Sequence, residues 1–183
     1  MPTYFGNQTK TDAYDWGSSL AVWNAGYTCT CPGIGDQIIK ELSVFAEGTS
    51  CNIRCAIYSS DGTTKIAEGS GEVPLSTTPF AWYGHGPGLY NALSPSAPVI
   101  TGGQNYILCV SCDGTTYAYG IDAGSSGAFK YSTNDYTGGW PASLPSGGNP
   151  GNYNFCIRCG VDAAAGTLSI QMSECVSSFA NLG

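Results

Sequence analysis

Apolar and polar residues alternate along several short stretches of the chain with the two-residue period of a β-strand. In "KELSVFAEG", residues 40–48, one face receives Leu42, Val44 and Ala46. In "CNIRCAIYSSDG", residues 51–62, the alternation is cleaner, and one face receives four residues: Cys51, Ile53, Cys55 and Ile57. Because successive side chains of a strand point to opposite faces, each stretch predicts a strand with one buried face.

Turn sequences separate these predicted strands. Ser60-Asp61-Gly62 and Gly102-Gly103 each predict a turn, and Asp113-Gly114 predicts a two-residue hairpin because this pair tolerates positive φ. No convincing amphipathic helix of three turns is present. The sequence therefore predicts an all-β fold, an antiparallel jelly-roll β-sandwich over residues 1–162 with an extra C-terminal strand or arm.

The composition agrees with this fold and restricts the partners. Of 183 residues, 26 are Gly and 12 are Tyr, and only 10% are charged, which is typical of strands joined by glycine-rich turns. The net charge of −7, with six Lys and Arg residues, argues against nucleic-acid binding, which needs a basic face. It also argues against binding to an anionic membrane surface. We expect neither partner.

The start of the chain bears on where the protein works. "MPTYFGNQTK" has neither the basic start nor the apolar stretch of a secretory signal. No apolar run approaches the roughly 18 residues that span a bilayer. We expect either a mature secreted form or a protein that leaves a cytosol by another route, as a virion protein released by lysis does. Both alternatives predict an extracellular location.

Two CxxC pairs, Cys109/Cys112 and Cys156/Cys159, have the spacing of a four-cysteine zinc site. In a zinc site both thiolates of a pair turn to one point, whereas residues three apart on a strand face opposite sides. The run "NYILCV" favours the strand, so we expect cysteine to serve as a small buried side chain. Some of the nine cysteines are expected to form cross-strand disulfides. We predict no metal and no cofactor.

No catalytic constellation stands out in the sequence. His85 is the single histidine, its flanking glycines place it on a loop, and no G-x-S-x-G nucleophile motif is present. The thirteen acidic residues are scattered without the facing pair that glycoside hydrolysis requires. We expect a protein that is not an enzyme.

Trp140 is the leading aromatic candidate for a ligand or interface contact. It lies in a long loop, residues 131–154, that is rich in Gly, Pro and aromatic residues. Three placements are open: packing on its own domain, packing on a neighbouring copy, and stacking on a glycan.

Residues 163–183 form a segment that stands apart from the predicted sandwich. After the small residues 163–166, the apolar Leu168, Ile170 and Met172 alternate with polar residues as in an amphipathic strand. Two readings are open: an extra edge strand on its own domain, or an arm that docks on a neighbouring copy. The candidate assembly residues are the apolar ones: Leu168, Ile170, Met172, Val176 and Phe179.

The order of these motifs is similar to that of a known module. "YFGNQ", "CNIRCAIYSSDGTTKIAEG", "FAWYG" and "APVITGGQNYILCVSCDGTTYAYG" follow one another over roughly residues 4–162. This pattern resembles a jelly-roll module in which an N-x-R/K-x-A-I-Y strand leads into a turn. Such modules resemble carbohydrate-binding sandwiches and occur in bacterial extracellular proteins and phage structural proteins. The resemblance implies the fold and leaves the function open among these classes.

Two functions from different classes follow. The first is a non-catalytic structural subunit that assembles with copies of itself, as a helical homopolymer, into an extracellular filament or a virion part. Low charge weakens the repulsion between copies, and the last segment offers a strand to a neighbour's sheet edge. The second is a carbohydrate-binding module whose exposed Trp and Tyr side chains stack on a glycan.

Overall fold

The protein is described by a computed structural model that covers most of the chain. The described residues are 1–8, 12–15, 23–48, 51–75, 81–113, 116–122, 128–130, 136–145, 149–151 and 153–164. All regular structure in these ranges is β-strand. They contain no helix long and apolar enough to cross a bilayer. The prediction of an all-β fold is confirmed.

Sixteen strands lie in the described residues. In chain order the first eight are β1 (Thr3–Asn7), β2 (Asp12–Asp15), β3 (Trp23–Thr30), β4 (Asp36–Gly48), β5 (Asn52–Ser59), β6 (Lys65–Gly69), β7 (Val73–Pro74) and β8 (Ala81–His85). The next eight are β9 (Leu93–Ser94), β10 (Val99–Thr101), β11 (Asn105–Cys112), β12 (Thr116–Asp122), β13 (Ala128–Lys130), β14 (Asn149–Gly151), β15 (Tyr153–Phe155) and β16 (Ile157–Ala163).

These strands form two antiparallel sheets. Sheet 1 has the order β1-β16-β4-β12-β15, with β8 and β10 also paired to β4 and β2 paired to β12. Sheet 2 has the order β14-β13-β3-β11-β5-β6-β9, with β7 also paired to β5. The long strand β4 organises sheet 1, since four strands pair with it: β16 over residues 37–44, β8 over 42–46, β10 over 36–38 and β12 over 46–48. The result is a sandwich-like pair of sheets.

The space between the two sheets holds the main hydrophobic core. The alternation predicted for β4 is confirmed, because Leu42, Val44 and Ala46 are all buried there. The alternation predicted for the next stretch is confirmed too, since four of its residues join the same cluster: Cys51, Ile53, Cys55 and Ile57. Burial of each large aliphatic side chain contributes about 1.5–3 kcal/mol, so this layer is the main source of stability.

Strands β5 and β11 are buried on both faces. A second cluster lies on the side of sheet 2 away from the core, and its buried members are Ala56, Tyr58, Ile107, Cys109 and Trp140. The covering segment, residues 136–145, is anchored by the Tyr58 hydroxyl, which donates a hydrogen bond of 2.6 Å to the Pro141 carbonyl. This two-sided burial explains why β11 is almost continuously apolar instead of alternating.

The two CxxC pairs belong to extended backbone, as the strand interpretation expects. Cys109 lies in the outer cluster of sheet 2, whereas Cys112 and Cys159 lie in the core between the sheets. Cys109 and Cys112 therefore face opposite sides of one sheet, and their thiolates do not converge. Among the described residues no group of three or more metal-binding side chains is found.

Cysteine serves as a small buried side chain in both sheets. The buried cysteines are Cys31, Cys51, Cys55, Cys109, Cys112, Cys156 and Cys159. Cys29, Cys31, Cys55, Cys109 and Cys159 are free thiols, so none of these five described cysteines takes part in the predicted cross-strand disulfides. Burial raises the pKa of the Cys29 thiol to about 12 and that of Cys31 to about 11, since a thiolate would lose its water. These thiols are therefore chemically quiet at neutral pH.

The hairpin predicted at Asp113-Gly114 is wrong. Strand β11 ends at Cys112 in sheet 2, whereas β12 begins at Thr116 in sheet 1, so the chain crosses between the sheets here. The Asp113 carboxylate ties the crossing to β5, because it accepts hydrogen bonds from the backbone N–H (2.6 Å) and side-chain amide (2.9 Å) of Asn52. An Asp-Gly pair permits a tight turn without deciding which strand pairs next.

Candidate functional site

The predicted assembly residues lie outside the described part of the chain. All five fall within residues 165–183: Leu168, Ile170, Met172, Val176 and Phe179. Strand β16 runs antiparallel to β4 with Ala163 opposite Gln37, and the Ala164 N–H donates a hydrogen bond of 3.0 Å to the Asp36 carbonyl. The chain therefore leaves sheet 1 at the start of β4.

Trp140 is not placed for stacking on a glycan, which corrects its choice as a ligand or interface candidate. Its side chain is 3% exposed, and its ring packs edge-on against Tyr58 with the centroids 6.0 Å apart. The indole N–H donates a hydrogen bond of 3.1 Å to the Arg54 carbonyl. The backbone is held as well, by Glu68 at its N–H and by Lys65 at its carbonyl. Of the three placements considered for Trp140, the structure shows the first: the side chain packs on its own domain.

His85 was predicted on a loop, but it is the last residue of β8 and is fully buried. Strand β7 pairs with β5 as far as Ile53, and β6 pairs with it from Ala56 onward, so neither strand reaches the Cys55 N–H. The His85 Nε2 accepts the hydrogen bond from this N–H at 3.0 Å. The ring lies against Gly69 of β6, where an added Cβ would come within 2.1 Å of it. The imidazole from sheet 1 thus fills a gap in sheet 2.

Burial keeps the His85 imidazole neutral. Loss of water and then the nearby Arg54 cation lower the pKa of His85 from 6.5 to about 4, although the Glu68 carboxylate opposes this shift. Among the described residues its Nδ1 has no hydrogen-bond partner. Because Nε2 is already engaged by the backbone, we assign His85 a structural role.

The outer face of sheet 1 carries a cluster of aromatic and charged side chains. We call it the Arg158 cluster, and its members are Tyr4, Glu41, Ser43, Trp82 and Arg158. The Arg158 guanidinium lies between two rings, 4.3 Å from the centroid of Tyr4 and 3.9 Å from Trp82. Its Nε and Nη2 both donate to one oxygen of Glu41, at 2.9 Å and 2.7 Å. The Tyr4 hydroxyl donates to the other oxygen at 2.9 Å.

The polar groups of the Arg158 cluster bond mainly to one another, and its two rings stack on the guanidinium. Tyr4 and Trp82 each turn a face to the guanidinium, and Trp82 packs edge-on against Phe45 with the centroids 5.4 Å apart. Burial and the Glu41 carboxylate raise the pKa of the Tyr4 hydroxyl. The four contributing strands β1, β16, β4 and β8 are neighbours. We therefore interpret the cluster as a contact that joins these strands.

A cleft opens beside β4, between the end of β8 and the start of β10. Its volume is about 340 Å³, and its lining includes Ile39, Lys40, Leu89, Tyr90, Ala92 and Leu93. We call it the Tyr90 cleft. Tyr90 is 55% exposed, and its ring stacks on Tyr83 with the centroids 5.7 Å apart and the planes inclined by 26°. The cleft thus has an apolar lining and an exposed, well-supported aromatic ring.

Lys40 is the one cation among the described residues that line the Tyr90 cleft. The register of the pairing between β4 and β16 shifts by one residue at this point. Gly160 lies opposite Glu41 and Val161 lies opposite Ile39, so Lys40 has no opposite residue on β16. This bulge takes Lys40 out of the alternation of β4. The ion pairs found among the described residues do not include Lys40. Lys40 therefore has no described ion pair that would compete with a carboxylate bound beside it.

Sequence reasoning missed both of these surface features. Arg158 carries a weak signal, since it is a charged residue between the two cysteines of the second CxxC pair. Its partners Tyr4, Glu41 and Trp82 come from three other strands, which periodicity does not bring together. The Tyr90 cleft depends on the conformation of residues 86–97, which form mostly bends and turns between strands. No repeating pattern in this segment indicates a cleft.

Comparison with known proteins does not assign the chain to a family. No protein-family model matches it, and no curated protein sequence matches it either. The structure itself defines the class. This is an all-β protein of two antiparallel sheets, with a second apolar cluster on one outer face and an open apolar cleft at one end.

Proposed function

We propose that this chain is a non-catalytic structural subunit that associates with copies of itself through residues 163–183. We propose further that it works outside the cell, in a filament or as part of a virion. The observation that carries the proposal is the Tyr90 cleft beside β4, into which an exposed aromatic ring and further apolar residues open. Tyr90 is 55% exposed, and Leu89 and Ala92 line the same cleft. An open apolar cleft of this kind is typical of an interaction surface.

The chain offers both halves of a contact. The described part has the apolar cleft, and the sequence directly after it contains the alternating residues Leu168, Ile170 and Met172. Only 10% of the residues are charged, which weakens the electrostatic repulsion between copies. A donor segment and an acceptor surface on one subunit support repeated head-to-tail association.

We also propose that the two sheets form a jelly roll, for which the strand order is the support. Eight strands interleave between the sheets as β1-β16-β4-β8 in one and β3-β11-β5-β6 in the other. Two nested Greek keys give this interleaving. The fold places the first and last strands β1 and β16 side by side, so the last segment continues from the same sheet as the N-terminus.

The test is a pair of charge substitutions in the full-length protein. Ile170→Lys places a charge on the apolar side of the predicted strand, and Gln171→Lys places the same charge on the polar side. We expect the wild type and Gln171→Lys to form large assemblies, and Ile170→Lys to remain monomeric. Light scattering coupled to gel filtration gives the mass, and negative-stain microscopy shows the form. Circular dichroism checks that both variants fold.

Two results would count against the proposal. A wild-type protein that stays monomeric at all accessible concentrations would remove self-assembly as the function. Equal assembly of Ile170→Lys and Gln171→Lys would remove the apolar face of residues 163–183 as the contact.

A second candidate function is a carbohydrate-binding module, and Tyr90 is the observation that favours it. Its ring is exposed on the cleft side and supported by Tyr83, and Lys40 and Asn91 line the same cleft. An open aromatic face beside polar groups suits a sugar ring. Under this alternative, the Tyr90→Ala variant loses the glycan-array signal of the wild type and keeps its association state. Absence of any signal for the wild type would reject it.

A further inference from the structure

We infer that the Tyr90 cleft is the acceptor for residues 168–174 of a second copy, with Glu174 of the incoming segment paired to Lys40. This inference rests on the proposed self-assembly and specifies where the contact forms. Residues 168–174 fill the cleft, and the ion pair between Lys40 and Glu174 sets the register of the docked segment.

The apolar fit is the first argument. Leu89 and Ala92 line the cleft together with the exposed ring of Tyr90, and the buried Ile39 and Leu93 also contribute to its wall. Residues 168, 170 and 172 of the incoming segment are Leu, Ile and Met, which share one side of an extended strand. Their burial in the cleft would remove apolar surface of both partners from water, which is the dominant driving force for such contacts.

Charge complementarity is the second argument. The two-residue alternation places Glu174 on the same side of the segment as Ile170 and Met172, so docking of that side takes a carboxylate out of water. A carboxylate that loses water without a partner is strongly unfavourable, so it needs a cation at its docked position. Lys40 is the one cation among the described lining residues, and no described residue forms an ion pair with it.

The direction of the chain favours a second copy over the protein's own cleft. Strand β16 runs antiparallel to β4, so the chain at Ala163 and Ala164 heads past Gln37 and Asp36. Lys40 lies in the opposite direction along β4. The segment would have to reverse direction to enter its own cleft, whereas the cleft of a neighbouring copy requires no reversal. Because donor and acceptor are different surfaces, the contact is heterologous and continues as an open chain of subunits.

The test exchanges the two charges in the full-length protein. Lys40→Glu and Glu174→Lys each place like charges together in the contact. We expect each variant alone to raise the concentration of half-assembly by about 100-fold or more, because each leaves a buried charge unpaired. The double variant Lys40→Glu/Glu174→Lys restores the pair and is expected to assemble within about tenfold of the wild type. Gln171→Lys adds the same charge as Glu174→Lys introduces, on the side of the segment away from the cleft, and serves as the matched control.

Mixing the two single variants tests whether the contact joins different copies. The cleft of Lys40→Glu accepts the segment of Glu174→Lys, and the unchanged cleft of Glu174→Lys accepts the unchanged segment of Lys40→Glu. We expect the mixture to assemble although neither variant does so alone. A segment docked in its own cleft gives no such complementation.

The outcomes separate the inference from the proposed function. Monomeric wild type at every concentration overturns both. Assembly of the wild type and of both single variants leaves the proposed function and overturns the cleft as its acceptor. Folded single variants that fail to assemble, and that are rescued neither by the double variant nor by mixing, also overturn it. Glycan binding at the cleft by a monomeric wild type would show that a sugar is the occupant.

Discussion

His85 shows how one side chain takes the place of a missing strand contact. The backbone N–H of Cys55 lies where neither β6 nor β7 pairs with β5, and the imidazole accepts its hydrogen bond from the other sheet. Gly69 makes room for the ring. Protonation at Nε2 would replace the acceptor with a second donor and put a charge in the core.

This arrangement predicts a specific dependence of stability on pH. The folded pKa of His85, about 4, lies below its ordinary value of 6.5, so the unfolded chain binds the proton first as the pH falls. The contribution of neutral His85 is complete above pH 6.5 and is lost progressively between pH 6.5 and 4. The gap between the two values corresponds to about 3 kcal/mol.

The measurement is urea unfolding at pH 7, 5.5 and 4, with His85→Gln as the control. The Gln side chain offers an acceptor and does not titrate, so the difference in the free energy of unfolding between the two proteins should shrink as the pH falls. Carboxylates that titrate in the same range affect both proteins equally. Parallel stability curves for the two proteins would show that His85 does not carry this effect.

Trp140 is predicted to contribute to stability and not to ligand binding. Trp140→Ala should lower the free energy of unfolding by about 3–5 kcal/mol, because it opens a cavity over Tyr58. Trp140→Phe keeps an aromatic ring there and loses the hydrogen bond to the Arg54 carbonyl, so a smaller loss of about 1–2 kcal/mol is expected. Chemical denaturation gives both values. A loss below about 1 kcal/mol for Trp140→Ala would contradict the buried placement.

At the scale of elements, the alternation in the sequence predicted β4 and β5 well because each has one face on the core between the sheets. It did not reveal that β5 and β11 also bury their outer face, since that depends on residues 136–145 folding back over sheet 2. The same packing buries Trp140. The wrong hairpin at Asp113 has a related cause, because a local turn signal carries no information about which sheet receives the next strand.

The strands of sheet 1 gain stability from the Arg158 cluster. Arg158→Lys keeps the charge but loses the flat guanidinium that stacks on Tyr4 and Trp82 and the paired contact with Glu41. We expect the free energy of unfolding to fall by about 1–3 kcal/mol. The reverse type of substitution, Lys40→Arg, falls at a residue without a described ion pair. It should change the free energy of unfolding by less than about 0.5 kcal/mol. Equal small effects for the two variants would show that the stacked arrangement contributes little.

At the scale of the whole molecule, the all-β class follows from composition and alternation, whereas the Tyr90 cleft does not. Its lining comes mostly from residues 86–97, which meet Ile39 and Lys40 of β4 only in the folded chain. The alternation of residues 168–172 predicts a strand, and the Tyr90 cleft is its proposed acceptor.

Electron cryo-microscopy of the wild-type protein at assembly concentrations tests the proposed contact most directly. We predict repeating subunits in which residues 168–174 of one copy lie in the Tyr90 cleft of the next, with Glu174 beside Lys40. Density that shows the cleft empty and residues 168–174 folded onto their own sheet would contradict it, as would a field of single, unassociated particles.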